Sequence, residues 1–207
     1  MRKRIGISCI VLGMICLLAS AGFVVYNRHE EKSGAQSAQN LLQDLQTAIE
    51  ENTNPENALP VQILPEKTQQ SEYREMPTVP AGDYESIGVL SIPVLEIELP
   101  VLTDWSYEKL KKAPCHYYGS YYEPDFVIAA HNFASHFGRL SQLQPGDLVI
   151  FTDATGENHY YEMVLLETLT PTATREMLSS GFDLSLYTCT PGGNNRVTVR
   201  CRAITQP

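Results

Sequence analysis

Residues 185–200 read SLYTCTPGGNNRVTVR, and the pairing they imply decides the fold. Two short runs of alternating apolar side chains flank a turn rich in Gly, Pro and Asn, the pattern of strand, connection and strand. Side chains along a strand point to opposite faces in turn. Leu184, Leu186 and Thr188 therefore share one face, and Ser185, Tyr187 and Cys189 the other. In the second run Val197, Val199, Cys201 and Ala203 form an apolar face opposed to Arg196, Thr198, Arg200 and Arg202. With the apolar faces inward, Cys201 is a buried structural thiol and Cys189 lies on the side of the arginines. Antiparallel pairing through the turn brings Arg196 back beside Cys189. Arg200 lies about 13 Å further along the strand and is expected on a solvated face.

Outward from this hairpin, the chain from Asp83 onward is a succession of strand-like runs, among them IGVLSIP, LEIELPVL, DFVIAAHN, GDLVIFTD and ENHYYEMVLLETLTP. Turn sequences such as DATGEN separate several of them. SYEKLKKAPCHYYG opens with a Ser N-cap and a helical pattern that Pro114 ends, and FGRLSQL and ATREMLSSG are expected helical turns. Seven or eight short strands in roughly 125 residues suggest a mostly β domain, a closed barrel or a sandwich.

The 207-residue chain carries appendages before this domain. Residues 1–4 read MRKR, and Ile5–Tyr26 contains no charged residue. At about 1.5 Å per residue that run crosses the roughly 30 Å of bilayer hydrocarbon, and it exceeds the apolar region of a cleaved signal peptide, usually about 7–15 residues. We read residues 1–29 as a cytoplasmic basic tip and a single-pass anchor; basic residues before a span favour the cytoplasmic side, so the rest of the chain is expected outside the cell. Residues 30–82 read as a stalk: Ala38, Leu41, Leu42, Leu45, Ala48 and Ile49 are spaced as a short amphipathic helix, followed by a proline-containing spacer. The domain proper is then 83–207. The net charge of −9, with no basic patch in the domain, gives no support for nucleic-acid binding. Of the five cysteines, Cys9 and Cys16 fall in the span. Cys115, Cys189 and Cys201 are an odd number, which flags a reactive thiol in an exported chain. Their spacing matches no zinc pattern, the acidic residues Asp104, Glu108 and Glu123 are too scattered to assign to a metal, and no cofactor is implied.

A thiol becomes a strong nucleophile as its thiolate, which a nearby cation or histidine makes accessible. Arginine holds a carbonyl or a developing oxyanion with fixed N–H donors. A general base is still needed. Among the histidines, His29 lies in the stalk, His159 follows a turn and His116 follows the expected helix, whereas His131 closes the apolar strand FVIAAHN. A half-buried histidine bonded to backbone would have the same position.

Taken together these residues resemble a sortase, a membrane-anchored cysteine transpeptidase of mainly Gram-positive bacteria. The family's Thr-Leu-x-Thr-Cys motif appears as Ser185-Leu186-Tyr187-Thr188-Cys189, its Ala-Gly-His as Ala129-Ala130-His131, and its arginine at the head of the last strand as Arg196. IGVLSIPVLEIELPV resembles the opening hairpin of the sortase barrel, and RLSQLQPGDLVIF the segment after its histidine. Ser185 keeps the hydroxyl of Thr, and Ala130 requires only that the backbone avoid positive φ. The resemblance implies an eight-stranded β-barrel, catalysis by Cys189, His131 and Arg196, and substrate contacts from Ala130, Leu186, Tyr187 and Thr188. It implies surface-protein substrates with an LPXTG-like sorting signal and an amine acceptor from a peptidoglycan precursor or a pilin lysine. Neither the Asp-Pro-aromatic lid motif nor the C-terminal span of many pilus-building sortases occurs here, which favours wall anchoring. A papain-type hydrolase usually places its cysteine before its histidine, the reverse of this order. A binding module with a degenerate site does not fit the intact set.

The anchor reading predicts that residues 1–26 remain on the mature protein. N-terminal sequencing of membrane-extracted protein should return the initiating segment, not a chain that starts after Ala21.

Overall fold

A computed structural model of the chain describes residues 2–53 and 74–206. Nine strands form one sheet: β1 (Val79–Ala81), β2 (Tyr84–Ile92), β3 (Ile97–Leu102), β4 (Cys115–Tyr118), β5 (Phe126–Ala129), β6 (Leu148–Asp153), β7 (Asn158–Leu169), β8 (Leu184–Cys189) and β9 (Arg196–Ile204). Their order is β1-β2-β3-β4-β5-β8-β9-β7-β6, and an additional β2–β6 pairing closes β2 to β9 into a ring of eight, with β1 appended to β2. This is the expected closed barrel. The end of the expected spacer, ahead of position 83, forms β1 and pairs with β2. Val79 and Ala81 of that strand are buried, and Pro80 sits on an edge strand, where a missing N–H costs no ladder bond. The rest of the spacer, residues 54–73, lies outside the described residues.

Closure depends on one glycine. Gly88 follows a bulge in β2 and has φ 148°. A Cβ there would lie 2.1 Å from the Thr152 carbonyl oxygen of β6, so only glycine lets the two strands pair. Ser86, also buried, donates from Oγ to the Val101 carbonyl at 2.8 Å and fixes the bulge from within.

The barrel interior is filled by the inward faces anticipated above, with Leu184, Leu186, Val199 and Cys201 packed against Ile87, Leu90, Phe126, Ile128, Phe137 and Phe151. Two short helices follow their sequence signals. In α2 (Tyr107–Leu110) Ser106 Oγ caps the Lys109 N–H at 3.1 Å, and ATREMLSSG yields α3 (Thr174–Leu178). FGRLSQL contributes a single 3-10 turn, Leu140–Gln142.

The N-terminal segment departs from the expected anchor plus separate stalk helix. It is one continuous helix, α1 (Arg2–Thr53). Its most apolar 18-residue window has a mean hydropathy of 2.1 with no buried residue, long and apolar enough to cross a membrane. Further along, Leu41 and Leu45 pack on Val79, Ala81, Val89, Leu102, Ala113, Cys115 and Ala154, and Ala38 joins the main core cluster. The amphipathic stripe is therefore the cover of an apolar outer face of the barrel. Leu45 is fully buried, which contributes on the order of 2 kcal/mol.

Arg200 corrects the expectation of a solvated face. It is 1% exposed. Its guanidinium donates to Glu167 Oε1 at 2.7 Å, to Ser185 Oγ at 2.7 Å and to the Glu176 carbonyl of α3 at 2.6 Å. The face opposite the core is roofed by α3, and three directed donors on one fork satisfy the buried groups there. Arg200→Lys is thus expected to destabilise the fold, by about 3 kcal/mol, because it strands buried acceptors and a partner carboxylate. Chemical denaturation of the variant beside Arg202→Lys, whose side chain is half exposed, measures it.

Candidate active site

The site assembles where β5 and β8 end. The two strands are parallel, with Phe126 level with Leu184 and Ala129 with Tyr187. The next residues continue the pairing: the Ala130 N–H donates to the Tyr187 carbonyl at 3.2 Å, and Thr188 Oγ1 donates to the Ala130 carbonyl at 2.9 Å. His131 and Cys189 therefore leave neighbouring strand ends at the same level. On the other side of β8, Cys189 is directly paired with Arg196 of β9. Paired residues project to the same face, so the thiol and the guanidinium share one side of the sheet.

The connection between them is held tightly. The Thr190 N–H donates to the Asn195 carbonyl at 3.0 Å and the Gly193 N–H to the Thr190 carbonyl at 2.8 Å. Gly192 and Gly193 both take positive φ, the conformation that favours glycine. Arg196 Nη1 donates to the Gly193 and Asn195 carbonyls at 3.0 and 3.1 Å, which holds the fork at the strand end. Cys189 is a free, half-buried thiol. Cys115 and Cys201 are also free and fully buried; desolvation pushes each thiol up to about 12, so neither ionises near neutrality.

Of the residues expected to contact substrate, Tyr187 alone offers its side chain. It lines a groove with Tyr117, Thr170, Pro171, Met177, Leu178 and Arg196. Leu186 is fully buried in the core, Thr188 is 3% exposed and spent on the Ala130 carbonyl, and Ala130 is itself 5% exposed. Alternation accounts for this placement: Leu186 and Thr188 share the inward face of β8 with Leu184. Sequence reasoning missed the aromatic wall of the groove, in which Tyr117 packs edge-on to Tyr187 at 5.2 Å and against Trp105 at 5.5 Å. The doublet Tyr117-Tyr118 in a short strand was the available signal, since alternation must turn one ring toward the site. The backbone at Ala130 has no positive φ, so the Gly-to-Ala departure costs nothing.

His131 is half-buried. Desolvation, and then the positive charge of Lys111, lowers its pKa below the ordinary value of 6.5, while Glu30 opposes the shift. Its Nδ1 is buried with no hydrogen-bond partner among the described residues. His136, five residues on, is fully buried, and neither ring nitrogen has a hydrogen-bond partner there.

Among the described residues one group could supply three metal ligands: Asp153, Glu157 and His159. Its geometry serves a turn. Asp153 Oδ1 accepts from the Thr155 and Glu157 N–H groups and from Thr155 Oγ1, and Oδ2 meets His159 Nε2 at 3.1 Å. His159 is drawn in by this contact.

Comparison with known proteins places these features in a family. A family model described as a sortase domain matches residues 90–204. No curated protein matches the chain. Among solved structures, sortase C1 of Streptococcus suis is 29% identical, with 59% of this chain and 74% of that one covered at a TM-score of 0.51. Sortase C1 of Streptococcus agalactiae is 26% identical over 59% and 69%, at 0.53. A sortase C from Clostridium perfringens SM101, 19% identical, covers 90% of this chain and 99% of its own at 0.53, a likeness of fold.

Burial drives His136 down to about 4. Between pH 6.5 and about 4 the unfolded chain binds a proton at this residue that the folded chain refuses, so stability falls as pH falls through that window. The loss is expected to be on the order of 3 kcal/mol, and thermal unfolding of wild type and His136→Phe across that range should show it in the wild type and a flatter profile in the variant.

Proposed function

The chain belongs to the sortase family, and we propose that it is a membrane-anchored cysteine transpeptidase that cleaves a C-terminal LPXTG-like sorting signal and transfers the acyl group to an amine of the cell wall. The observation that carries this reading is the pairing of Cys189 with Arg196 on one side of β8 and its alignment with the end of β5, which bears His131, on the other.

Cys189 passes its thiol proton to His131, and the resulting thiolate Sγ attacks the carbonyl carbon of the Thr–Gly bond. A C–S bond forms and the carbonyl electrons move to oxygen, where the Arg196 guanidinium, in a partly desolvated setting, stabilises the charge. The C–N bond then breaks as His131 gives its proton to the departing amine. The product is a thioester on Cys189 and a free glycine amine. An acceptor amine enters, loses a proton to His131 and attacks the thioester, and the thiolate leaves. Tyr187, Tyr117 and the α3 side of the groove receive the apolar residues that precede the scissile bond. The basic residues at the N-terminus orient the anchor with that end in the cytoplasm, so the barrel stands outside the membrane among exported substrates.

A second reading comes from the relatives: several of the solved structures are C-class sortases, one of them the pilus island 1 sortase C2 of group B Streptococcus. In that case the acceptor is a lysine amine of a pilin. Both readings share the acyl-enzyme and differ only in the amine that resolves it.

The test is mass spectrometry of the full-length protein with a library of sorting peptides. A thioester on Cys189 is expected, with none in Cys189→Ala and a wild-type yield in Cys201→Ala. Arg196→Lys keeps the charge but loses the planar fork, and its turnover should drop on the order of a hundredfold. A thioester that survives Cys189→Ala sinks the assignment.

A further inference from the structure

Acid–base histidines are commonly oriented by a hydrogen-bonded third group. His131 has no such partner at Nδ1 among the described residues. What touches the imidazole is an aromatic ring: Phe133 stacks on it with ring centroids 4.0 Å apart and planes inclined by 31°. The plane of the histidine is thus set by packing, and the question becomes what holds Phe133.

The answer lies in α1, just beyond the apolar run. A Cβ built on Gly34 would lie 2.8 Å from Phe133 Cε2 and 2.9 Å from the Lys111 carbonyl oxygen. The helix backbone therefore rests directly on the Phe133 ring, at a distance only glycine permits. One turn earlier, Glu31 Oε1 accepts the N–H of Ala134 at 2.9 Å, and Glu30 Oε1 accepts from Lys111 Nζ at 2.8 Å. The turn itself is tied by the His136 and Gly138 N–H groups, both donating to the Phe133 carbonyl at 2.9 Å. Asn27, Glu30 and Glu31 face His131, Asn132 and Phe133 across a cavity of about 250 Å³. The anchor helix thus forms one wall of the approach to the histidine.

We propose that the juxtamembrane stretch Glu30–Gly34 of α1 is a positioning element of the active site, in which Gly34 and Glu31 seat Phe133 and its turn, and Phe133 sets the plane of the His131 imidazole. The inference rests on the reading of His131 as the acid–base group. It assigns α1 a part in the chemistry beyond tethering, because moving the helix moves the ring that orients the base. Gly34 lies only about 12 Å of helix rise beyond Tyr26, so the membrane surface, the helix and the histidine form one connected unit.

The experiment uses the full-length chain in detergent, with ¹³C-labelled histidine and NMR titration of the His131 ring, alongside peptide turnover. The charged and titratable groups around His131 are Glu30, Glu31, Lys111 and His136, with the Cys189 thiol at the neighbouring strand end, so the decisive comparison holds charge constant. Glu31→Gln and Glu31→Ala lose the same carboxylate, but only the alanine loses the acceptor for the Ala134 N–H. Glu31→Ala and Phe133→Leu should let water reach the ring and raise the His131 pKa relative to Glu31→Gln, by about half a unit or more. The same two variants should lower kcat about tenfold with KM within about twofold. Gly34→Ala should behave likewise; if it fails to fold, the Glu31 pair still decides. A His131 titration that is the same in Glu31→Ala, Glu31→Gln and Phe133→Leu overturns the proposal. If no sorting peptide is turned over by the wild type, the functional reading fails, while the titration still reports whether α1 seats the ring.

Discussion

The parallel pairing of β5 with β8 is the constraint on which the site depends. Four residue pairs, Phe126 with Leu184 through Ala129 with Tyr187, hold two short strands whose ends would otherwise be unrelated in sequence. A parallel neighbour must come from a distant part of the chain, and here β6, β7 and α3 intervene. β5 is wholly buried along its length, which is why FVIA reads as a continuous apolar run instead of an alternating one. A shift of one residue in this register would turn Cys189 to the wrong face of the sheet. The Thr188 hydroxyl, bonded to the Ala130 carbonyl, locks the register at the place where it matters chemically. It aligns the ends of β5 and β8, from which His131 and Cys189 leave.

That register in turn needs a closed barrel, and the barrel needs cover on both sides. Inside, the apolar faces suffice. Outside, two patches would be costly in water. One is the Ser185–Arg200 region, roofed by α3, where the polar groups are buried and so must be paired. The other, centred on Val89, Leu102 and Cys115, is sealed by α1. This helix therefore contributes to the stability of the domain, and the apolar area it covers is a reason for the helix to stay docked.

Much of this was legible in the sequence. The β8–β9 hairpin, the inward burial of Cys201, the pairing of Cys189 with Arg196 and the position of His131 at a strand end all follow from period-two alternation and one turn. These features are local, and local rules reach them. Arg200 was misread for an equally physical reason: alternation separates two faces but says nothing of what lies over the second. The cover comes from α3, and the contact is made by a backbone carbonyl, which carries no sequence signal. Leu186 and Thr188 were assigned to substrate because they stand in the motif, although their own alternation already turned them inward. The stalk helix was found but its partner was not, since an apolar stripe shows that something is covered without saying what.

The same limit explains why the wall beside His131 was invisible. Its members, Gly34, Phe133 and Lys111, are scattered along the sequence, and none is chemically unusual. Gly34 in the middle of a helix costs about 1 kcal/mol against alanine, which argues that its place is set by something outside the helix. The structure supplies that reason in the Phe133 ring, 2.8 Å from where a Cβ would be. A residue that weakens its own element while permitting a contact next to His131 is better understood from the contact than from the element. By the same logic Glu30 and Glu31, two acids of α1 just beyond its apolar run, are placed by their partners, Lys111 and the Ala134 N–H. The apolar stretch long enough to cross a bilayer and the stretch that touches the histidine turn belong to one continuous helix. A tilt of the apolar stretch must therefore be taken up by bending α1, by separating it from the barrel, or by moving the turn that carries His131.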